Sequence, residues 1–497
     1  MLLSSCTMPT EMVINICMVL LVLLCEASST PKVLLVSMDG FRYDYLDLLP
    51  PSMVPNFQNI IKNGVKGKLT SVFPTVTYPN HYTLITGLYP ENHGLVHNRF
   101  YDTDPTVKDH FWYDDRRDNY DPVWFDTGAE PIYVTNKKGS GVRYSASALW
   151  PCGLGKVKEI RPDFVYYDTD PFSHINFTKM VDDMVDWFTN KTNPVNLGLM
   201  YFDEPDEIAH ASGAASTAVL NFVKELDVVI GHLIKRLRDT NLLDDLNVIL
   251  LADHGFTNIT TQVVLEDYGI MAHEYTTGSG FENHITVHIY PNSSDIDTLY
   301  KKFSNSSLKD KLDVYLKSNS TYLKDTLHYS KNSRIAPIII TGKEGVVFFP
   351  NKSSTEGFKT KGGHGYDPKY PDMSPIFLAF GPAFKKGYKT DSPFPNLDIY
   401  PLMCHLLGVP PAPNNGSLKR VEQFLKDPLK EDGFTVTEVS LLMVFIVTVL
   451  VAGLFAICAC HNARKQPRLL LRGFQSPVGN LQHSHHLLQD NDDDDEF

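Results

Sequence analysis

The chain has 497 residues, of which 43% are hydrophobic and 21% charged, and its formal net charge is -13. That composition suits one large globular domain or two smaller ones. The negative charge excludes general attraction to nucleic-acid duplexes or acidic membranes as the default mode of action. An anionic substrate must therefore meet positive charge locally, from a metal or a few Lys and Arg side chains.

In chain order, Val13 to Leu24 is an apolar run too short to span a bilayer. Ala27, Ser28 and Ser29 follow it, so residues 1–28 read as a secretory signal. Glu11 stands where a positive n-region is usual, which keeps an uncleaved anchor as the alternative. Val33 to Ser37, Leu197 to Phe202, Val248 to Ala252 and Ile376 to Phe380 are short apolar runs, the pattern of strands buried on both faces. Between the second and third, Val219 to Leu237 carries Leu220, Val223, Leu226, Val229, Ile230, Leu233, Ile234 and Leu237 on one helical stripe. Alternating strands and helices predict an α/β fold with a mainly parallel central sheet flanked by helices. Lys108 to Arg161 is rich in aromatics, Gly and Asp without periodicity, and is read as an irregular cap region.

The ectodomain is expected to run from 29 to 410, with an extracellular stalk over 411–438. Val439 to Ala459 lacks any charge and is long enough to span a membrane, and His461, Arg464, Lys465, Arg468 and Arg472 follow it. The layout is that of a single-pass type I protein of the cell membrane, with a span over 439–460 and a cytoplasmic tail over 461–497. Eight glycosylation sequons, at Asn176, Asn190, Asn258, Asn292, Asn305, Asn319, Asn351 and Asn415, all lie between the two apolar segments. Of seven cysteines only Cys152 and Cys404 fall in the central region, so stability must come from a core and not from a disulfide framework.

Three of the strand-like runs end in acidic or imidazole groups, where open α/β sheets bind ligands. Asp39-Gly40 follows the first. Asp206 and His210, four apart, face the same way on a helical turn. Asp253-His254 ends the third run, and His364 sits between glycines. Three Asp and three His without a thiolate suit a catalytic pair of metal ions, two Zn2+ per subunit. Each residue alone has a structural reading, since a strand-terminal Asp is commonly a cap. Thr77 precedes a helix expected from about Pro79 to Thr86, with Gly87 as its stop. An isolated Thr there is an N-cap; with a metal nearby it is a nucleophile.

The stretches Val-Ser-Met-Asp39-Gly-Phe-Arg, Thr77-Tyr-Pro-Asn-His-Tyr, Glu-Pro-Asp206 to His210, Asp253-His254-Gly and His364-Gly-Tyr-Asp resemble the ectonucleotide pyrophosphatase/phosphodiesterase family of the alkaline phosphatase superfamily. The short type I layout is similar to its fourth and fifth vertebrate members. The resemblance implies that Asp206, His210 and His364 bind one zinc, and that Asp39, Thr77, Asp253 and His254 bind the other. It implies Thr77 as nucleophile, a Thr77-nucleotidyl intermediate and release of nucleoside 5'-monophosphates. Asn98 would donate to the phosphoryl oxygen, Asp206 would also border the substrate, and Tyr78 and Tyr167 would sandwich the nucleobase. Val76 departs from a Lys that many relatives use to hold leaving phosphates, and Arg99 follows Asn98. The substrate expected is a small nucleotide such as NAD, a dinucleoside polyphosphate or a nucleoside di- or triphosphate, with no nucleic-acid polymer and no obligate protein partner. The alternatives are a choline phospholipid or lysophospholipid phosphodiesterase, and a catalytically silent surface protein for adhesion or signalling.

Overall fold

The computed structural model describes residues 30–102, 112–114, 121–166, 176–277, 284–292, 295–304 and 307–429, with scattered positions between 443 and 453. It forms two compact units, one up to Leu429 and one from Lys430 onward. In the first, β1 (Lys32–Met38), β2 (Val65–Thr70), β3 (Ser145–Ala148), β4 (Phe164–Tyr166), β5 (Leu197–Phe202), β6 (Leu246–Leu251), β7 (Ile376–Phe380) and β8 (Tyr388–Lys389) make the principal sheet. Their spatial order is β8-β2-β7-β6-β1-β5-β3-β4, with Phe394–Pro395 also paired to β2. β6, β1, β5, β3 and β4 are mutually parallel. The expected mainly parallel sheet thus has one reversed strand, β7, which is antiparallel to both β6 and β2.

The apolar runs are continuous because helices cover both faces. On β1, Val33 and Leu35 enter one buried cluster, whereas Leu34, Val36 and Met38 enter another on the opposite face. The first face holds α2 (Thr77–Thr86) and α6 (Ile399–Leu407). The second holds α1 (Pro55–Asn63), α3 (Phe177–Phe188) and α5 (Thr217–Asp239). Val223, Leu226, Ile230, Leu233 and Leu237 of α5 are fully buried, as the helical stripe predicts. Each such side chain contributes about 1.5–3 kcal/mol of transfer free energy. Asp227 interrupts that stripe for a reason. Its carboxylate accepts the Asn56 and Phe57 amides at 3.2 and 2.8 Å, capping α1, which has no side-chain cap of its own.

Part of the segment expected as a cap builds the core instead. β3 belongs to this segment and, with β4 just beyond it, extends the sheet past β5; Trp124, Phe125, Tyr133 and Trp150 of the segment are buried. β3 reads Ser-Ala-Ser-Ala with all four residues buried, so small side chains hide an interior strand from a hydrophobicity pattern. Residues 108–111 and 115–120 of that segment lie outside the described residues. The insertion between His254 and His364 carries a second, antiparallel sheet of four strands, Tyr275–Thr277, Thr286–Pro291, Ile338–Gly342 and Leu312–Leu316, with its own apolar cluster.

The boundary expected at 410 moves to Leu429, where the first unit ends. Val421, Phe424 and Leu425 are buried, and the Phe424 ring lies 5.1 Å from those of Phe377 and Phe394. Two very short helical turns, Leu418–Val421 and Glu422–Phe424, carry Val421 and Phe424, with Leu425 next, too little for a periodic signal. The expected signal at 1–28, most of the span at 439–460 and the tail at 461–497 lie outside the described residues. Among those described, no helix is long and apolar enough to cross a membrane.

Phe424→Ala should cost the globular unit about 3–5 kcal/mol, read as a lower urea midpoint of the isolated unit ending at Leu429. Truncation after residue 410 should abolish a cooperative transition. An unchanged midpoint for either variant would show that the 411–429 segment is an appendage.

Candidate metal centre and active site

β6, β1 and β5 are adjacent and parallel, so their carboxyl ends lie side by side. Asp39 follows the last residue of β1, Asp253 lies just past β6, and Asp206 opens the short helix α4 (Asp206–Ser212) beyond β5. All three carboxylates are buried. Gly40 makes the close approach possible: its φ is +66°, and a Cβ there would meet Asp206 Oδ1 at 3.0 Å.

Three imidazoles complete the cluster. His210 Nε2 lies 3.2 Å from Asp206 Oδ2, and His364 Nε2 lies 3.5 Å from Asp206 Oδ1. His254 Nε2 lies 3.3 Å from Asp39 Oδ1 and 3.1 Å from Asp253 Oδ2. The His254 and His364 rings stack at 3.6 Å. In each histidine Nδ1 faces a backbone carbonyl: Gly362 O for His210 at 3.1 Å, Gly255 O for His254 at 3.0 Å and Thr75 O for His364 at 3.0 Å. An Nδ1–H donated to a carbonyl leaves the Nε2 lone pair directed at the carboxylates, the usual posture of a metal-binding histidine.

The electrostatics are unbalanced without a cation. Burial raises the Asp39 carboxyl well above the ordinary range, and the Asp253 and Asp206 carboxylates push it further. Burial would also raise Asp206, but the His210 and His364 imidazoles hold it at about 2. Asp39 Oδ1, Asp206 Oδ1, Asp253 Oδ2 and His254 Nε2 are buried without hydrogen-bond partners. A group of buried polar atoms left unsatisfied and facing one another is costly unless an ion binds them. Two sets bring one ligand atom each to within 4.8 Å of one another: Asp206, His210 and His364, and Asp39, Asp206 and His254. The donors fit a divalent ion, and Asp206 belongs to both sets. Asp253 borders the second set through His254.

Thr77 is the first residue of α2, whose N-cap is Val76 with no side-chain cap hydrogen bond. Its hydroxyl is therefore not the helix cap. The loop before it is held firmly. Buried Asn80 donates from Nδ2 to Pro74 O and Val76 O at 3.0 and 2.8 Å, and accepts the Val72 amide at 2.9 Å. Thr75 Oγ1 donates to Tyr366 O and accepts from the Gly365 amide. The loops bearing Thr77 and His364 are thus clasped together. His81, one turn along α2, places Nδ1 at 2.9 Å from Thr77 O and 3.4 Å from Asp253 Oδ2, with Nε2 on Ser37 Oγ at 2.8 Å. Gly87 ends the helix with φ +66°.

Asn98 Oδ1 accepts the Tyr78 amide at 3.0 Å. That contact places the side-chain amide beside the first turn of α2 and leaves its NH2 to donate. Tyr78 is half-buried, edge-on to Tyr113 at 6.5 Å between ring centroids. Val76 points into the core. Arg99 faces Asp114 at 3.5 Å. Tyr167 lies outside the described residues. Cys152 and Cys404 are both buried, and Cys152 Sγ lies 3.9 Å from Tyr78 O. Of the sequon asparagines, Asn176, Asn258, Asn292, Asn319 and Asn415 are exposed, Asn190 and Asn351 are half-buried, and Asn305 is outside the described residues.

Sequence reasoning passed over Tyr201, His81, Asn80 and Thr75. Tyr201 donates to Asp39 Oδ2 at 2.5 Å. Its one signal was a polar tip inside an apolar strand run. His81 could have been found from its spacing, four residues after Thr77.

The type I phosphodiesterase/nucleotide pyrophosphatase family matches residues 33–367. Human ectonucleotide pyrophosphatase/phosphodiesterase family member 5 is 36% identical over 400 residues, covering 80% of this chain and 79% of that protein. Human bis(5'-adenosyl)-triphosphatase ENPP4 is 37% identical over 404 residues, covering 81% and 83%. Among solved structures, an inactive Thr-to-Ala variant of murine ectonucleotide pyrophosphatase/phosphodiesterase 5 in complex with AMP is 34% identical. It has a TM-score of 0.72 and covers 80% of this chain and 100% of that one. The ligand-ready cluster at the strand ends and these similarities agree, and the chain belongs to the ectonucleotide pyrophosphatase/phosphodiesterase family, as a phosphodiesterase/nucleotide pyrophosphatase of the kind represented by members 4 and 5.

Proposed function

We propose that the chain is an extracellular, zinc-dependent enzyme that releases nucleoside 5'-monophosphates from dinucleoside polyphosphates, NAD and related nucleotides through a covalent Thr77 intermediate. The observation that carries this reading is the uncapping hydroxyl of Thr77 at the start of α2, one imidazole (His81) away from the buried Asp253. Asp206, His210 and His364 would hold one ion. Asp39, Asp253, His254 and Thr77 would hold the other. Bound there, two divalent ions stabilise an alkoxide or hydroxide near neutral pH and offset charge on phosphoryl oxygens.

The rest of the chemistry falls to side chains. Thr77 Oγ, its proton released to solvent, attacks the α-phosphorus in line. The Thr77 O–P bond forms as the bond to the leaving nucleotide breaks, and that oxygen takes the electron pair. Water then attacks the same phosphorus from the opposite side, Thr77 leaves and regains a proton, and the monophosphate departs. Asn98 donates from its free amide to a non-bridging phosphoryl oxygen, where charge grows in the transition state. The amides at the start of α2 favour the same anion. Tyr78 offers an aromatic face for the base. With Val76 in the core, no cation stands at that position to hold a long polyphosphate tail, which favours substrates whose leaving group is itself a nucleotide. Two relatives support this choice in their names, one a bis(5'-adenosyl)-triphosphatase, the other solved with AMP.

The reading includes the topology: a signal at 1–28, a type I span at 439–460, a cytoplasmic tail, and glycans at Asn176, Asn190, Asn258, Asn292, Asn305, Asn319, Asn351 and Asn415.

With diadenosine triphosphate as substrate, Thr77→Ala should lower kcat by about three orders of magnitude or more with an unchanged melting temperature. Comparable turnover in that variant, or release of phosphocholine from lysophosphatidylcholine in place of AMP from the dinucleotide, would contradict the reading. Asn98→Ala should lower kcat about 10²–10³-fold with little change in KM; a pure KM effect would assign Asn98 to ground-state binding. Chelation should remove activity and lower the melting temperature, because ligand loss both removes binding energy and leaves buried carboxylates uncompensated. A chelated enzyme with unchanged melting and turnover would rule out the metal centre.

A further inference from the structure

Beside the β8 edge of the principal sheet lies a cavity of about 880 Å³. It opens between α1, the end of α5 and the loop joining β7 to β8. Its floor is apolar, with Ile60, Ile234, Phe380 and Phe384 among its lining residues. Its rim carries Arg238, Lys385, Lys386 and Lys426 against a single acid, Asp244. In a chain of net charge -13 this is a local excess of positive charge. Among the described residues Arg238, Lys386 and Lys426 form no ion pair.

The walls are built and not loose. Gly381 has φ +133°, and a Cβ there would strike Leu246 O at 2.6 Å. Asn247 Oδ1 accepts the Ala383 amide at 3.0 Å, tying the loop to β6. Phe384 and Leu425 bridge antiparallel, with Lys385 N donating to Phe424 O and Lys426 N to Ala383 O. Lys385 Nζ donates to Gln423 O at 2.8 Å. The two lysine-bearing segments are therefore held backbone to backbone, which fixes the stems of Lys385, Lys386 and Lys426 close together.

We infer that this cavity is a second, non-catalytic site for a phosphate-bearing amphiphile, and that its occupant is the headgroup region of an anionic phospholipid. The cationic rim matches a phosphoanion, and the apolar floor matches the carbon atoms attached to it. Position argues for the lipid as source. Lys426 lies three residues before Leu429, where the globular unit ends. Residues 430–438 then separate it from the apolar run that begins at Val439, a reach of about 30 Å when extended. The lipid source rests on the type I topology proposed above; the anion site does not.

The test uses the secreted unit ending at Leu429, which has its own core and corresponds to solved chains of relatives covered in full by this one. Flotation with phosphatidylcholine vesicles, with and without phosphatidylserine, is compared for wild type, R238E/K386E/K426E, and a charge-matched control, K191E/K301E/K324E. Wild type and control should bind the phosphatidylserine vesicles about tenfold or more better than the cavity variant, with hydrolysis of soluble dinucleotide unchanged in all three. Protection of wild type, but not of the cavity variant, by inorganic phosphate without vesicle binding would support the anion site with a free phosphoanion as its source. Equal loss in control and cavity variants would reduce the effect to net charge and overturn the proposal. So would the absence of both vesicle binding and phosphate protection in wild type.

Discussion

Asp39, Asp206 and Asp253 are buried at the ends of strands that the sheet places side by side, and their carboxylates repel one another. A protein interior does not tolerate such a concentration of negative charge unless something positive is meant to sit in it. The three neighbouring imidazoles do not suffice. Each is tied through Nδ1 to a backbone carbonyl, which directs a neutral Nε2 lone pair toward the acids. Four candidate ligand atoms, Asp39 Oδ1, Asp206 Oδ1, Asp253 Oδ2 and His254 Nε2, are buried without a hydrogen-bond partner. Much else in the first unit can be understood as scaffolding for this charge: parallel strands that deliver the acids, a glycine at position 40 that lets two of them approach, and Tyr201 that fixes one carboxylate oxygen of Asp39.

The same cluster is mechanically joined to Thr77, the proposed nucleophile. Asn80 holds the loop from Val72 to Val76, Thr75 grips the residues beside His364, and His81 touches both Thr77 and Asp253. The Thr75 and His81–Asp253 contacts cross long stretches of sequence, whereas those of Asn80 are local. Precise placement of a hydroxyl against ligated charge is worth many orders of magnitude in rate. Hence a substitution at Asn80 or Thr75, which touch no substrate, would disturb the site through position alone.

The legibility of the molecule from its sequence varies by element. Strands buried on both faces announce themselves, and Leu197–Phe202 and Ile376–Phe380 were read with the bounds the structure shows. Asp and His at strand ends could be gathered because ligands collect there in α/β sheets. β3 escaped notice because Ser-Ala-Ser-Ala carries no hydrophobic signal, although all four residues are interior. The reversed direction of β7 was equally hidden, since strand direction follows from connections and not from composition. The 411–429 segment read as a stalk because a few aromatic and aliphatic anchors in short turns have no period. Tyr201 and His81 were overlooked because their roles are to hold ligand residues, and such roles appear only once the fold brings the partners together.

The most direct test of the central claim is anomalous X-ray diffraction at the zinc edge from crystals of the secreted unit grown with zinc. Two peaks are predicted. One lies among Asp206, His210 and His364, and the other among Asp39, Asp253, His254 and the Thr77 hydroxyl. A single peak, peaks elsewhere, or an ordered cluster without metal that keeps full activity would contradict the view that these buried acids exist to hold a catalytic metal pair.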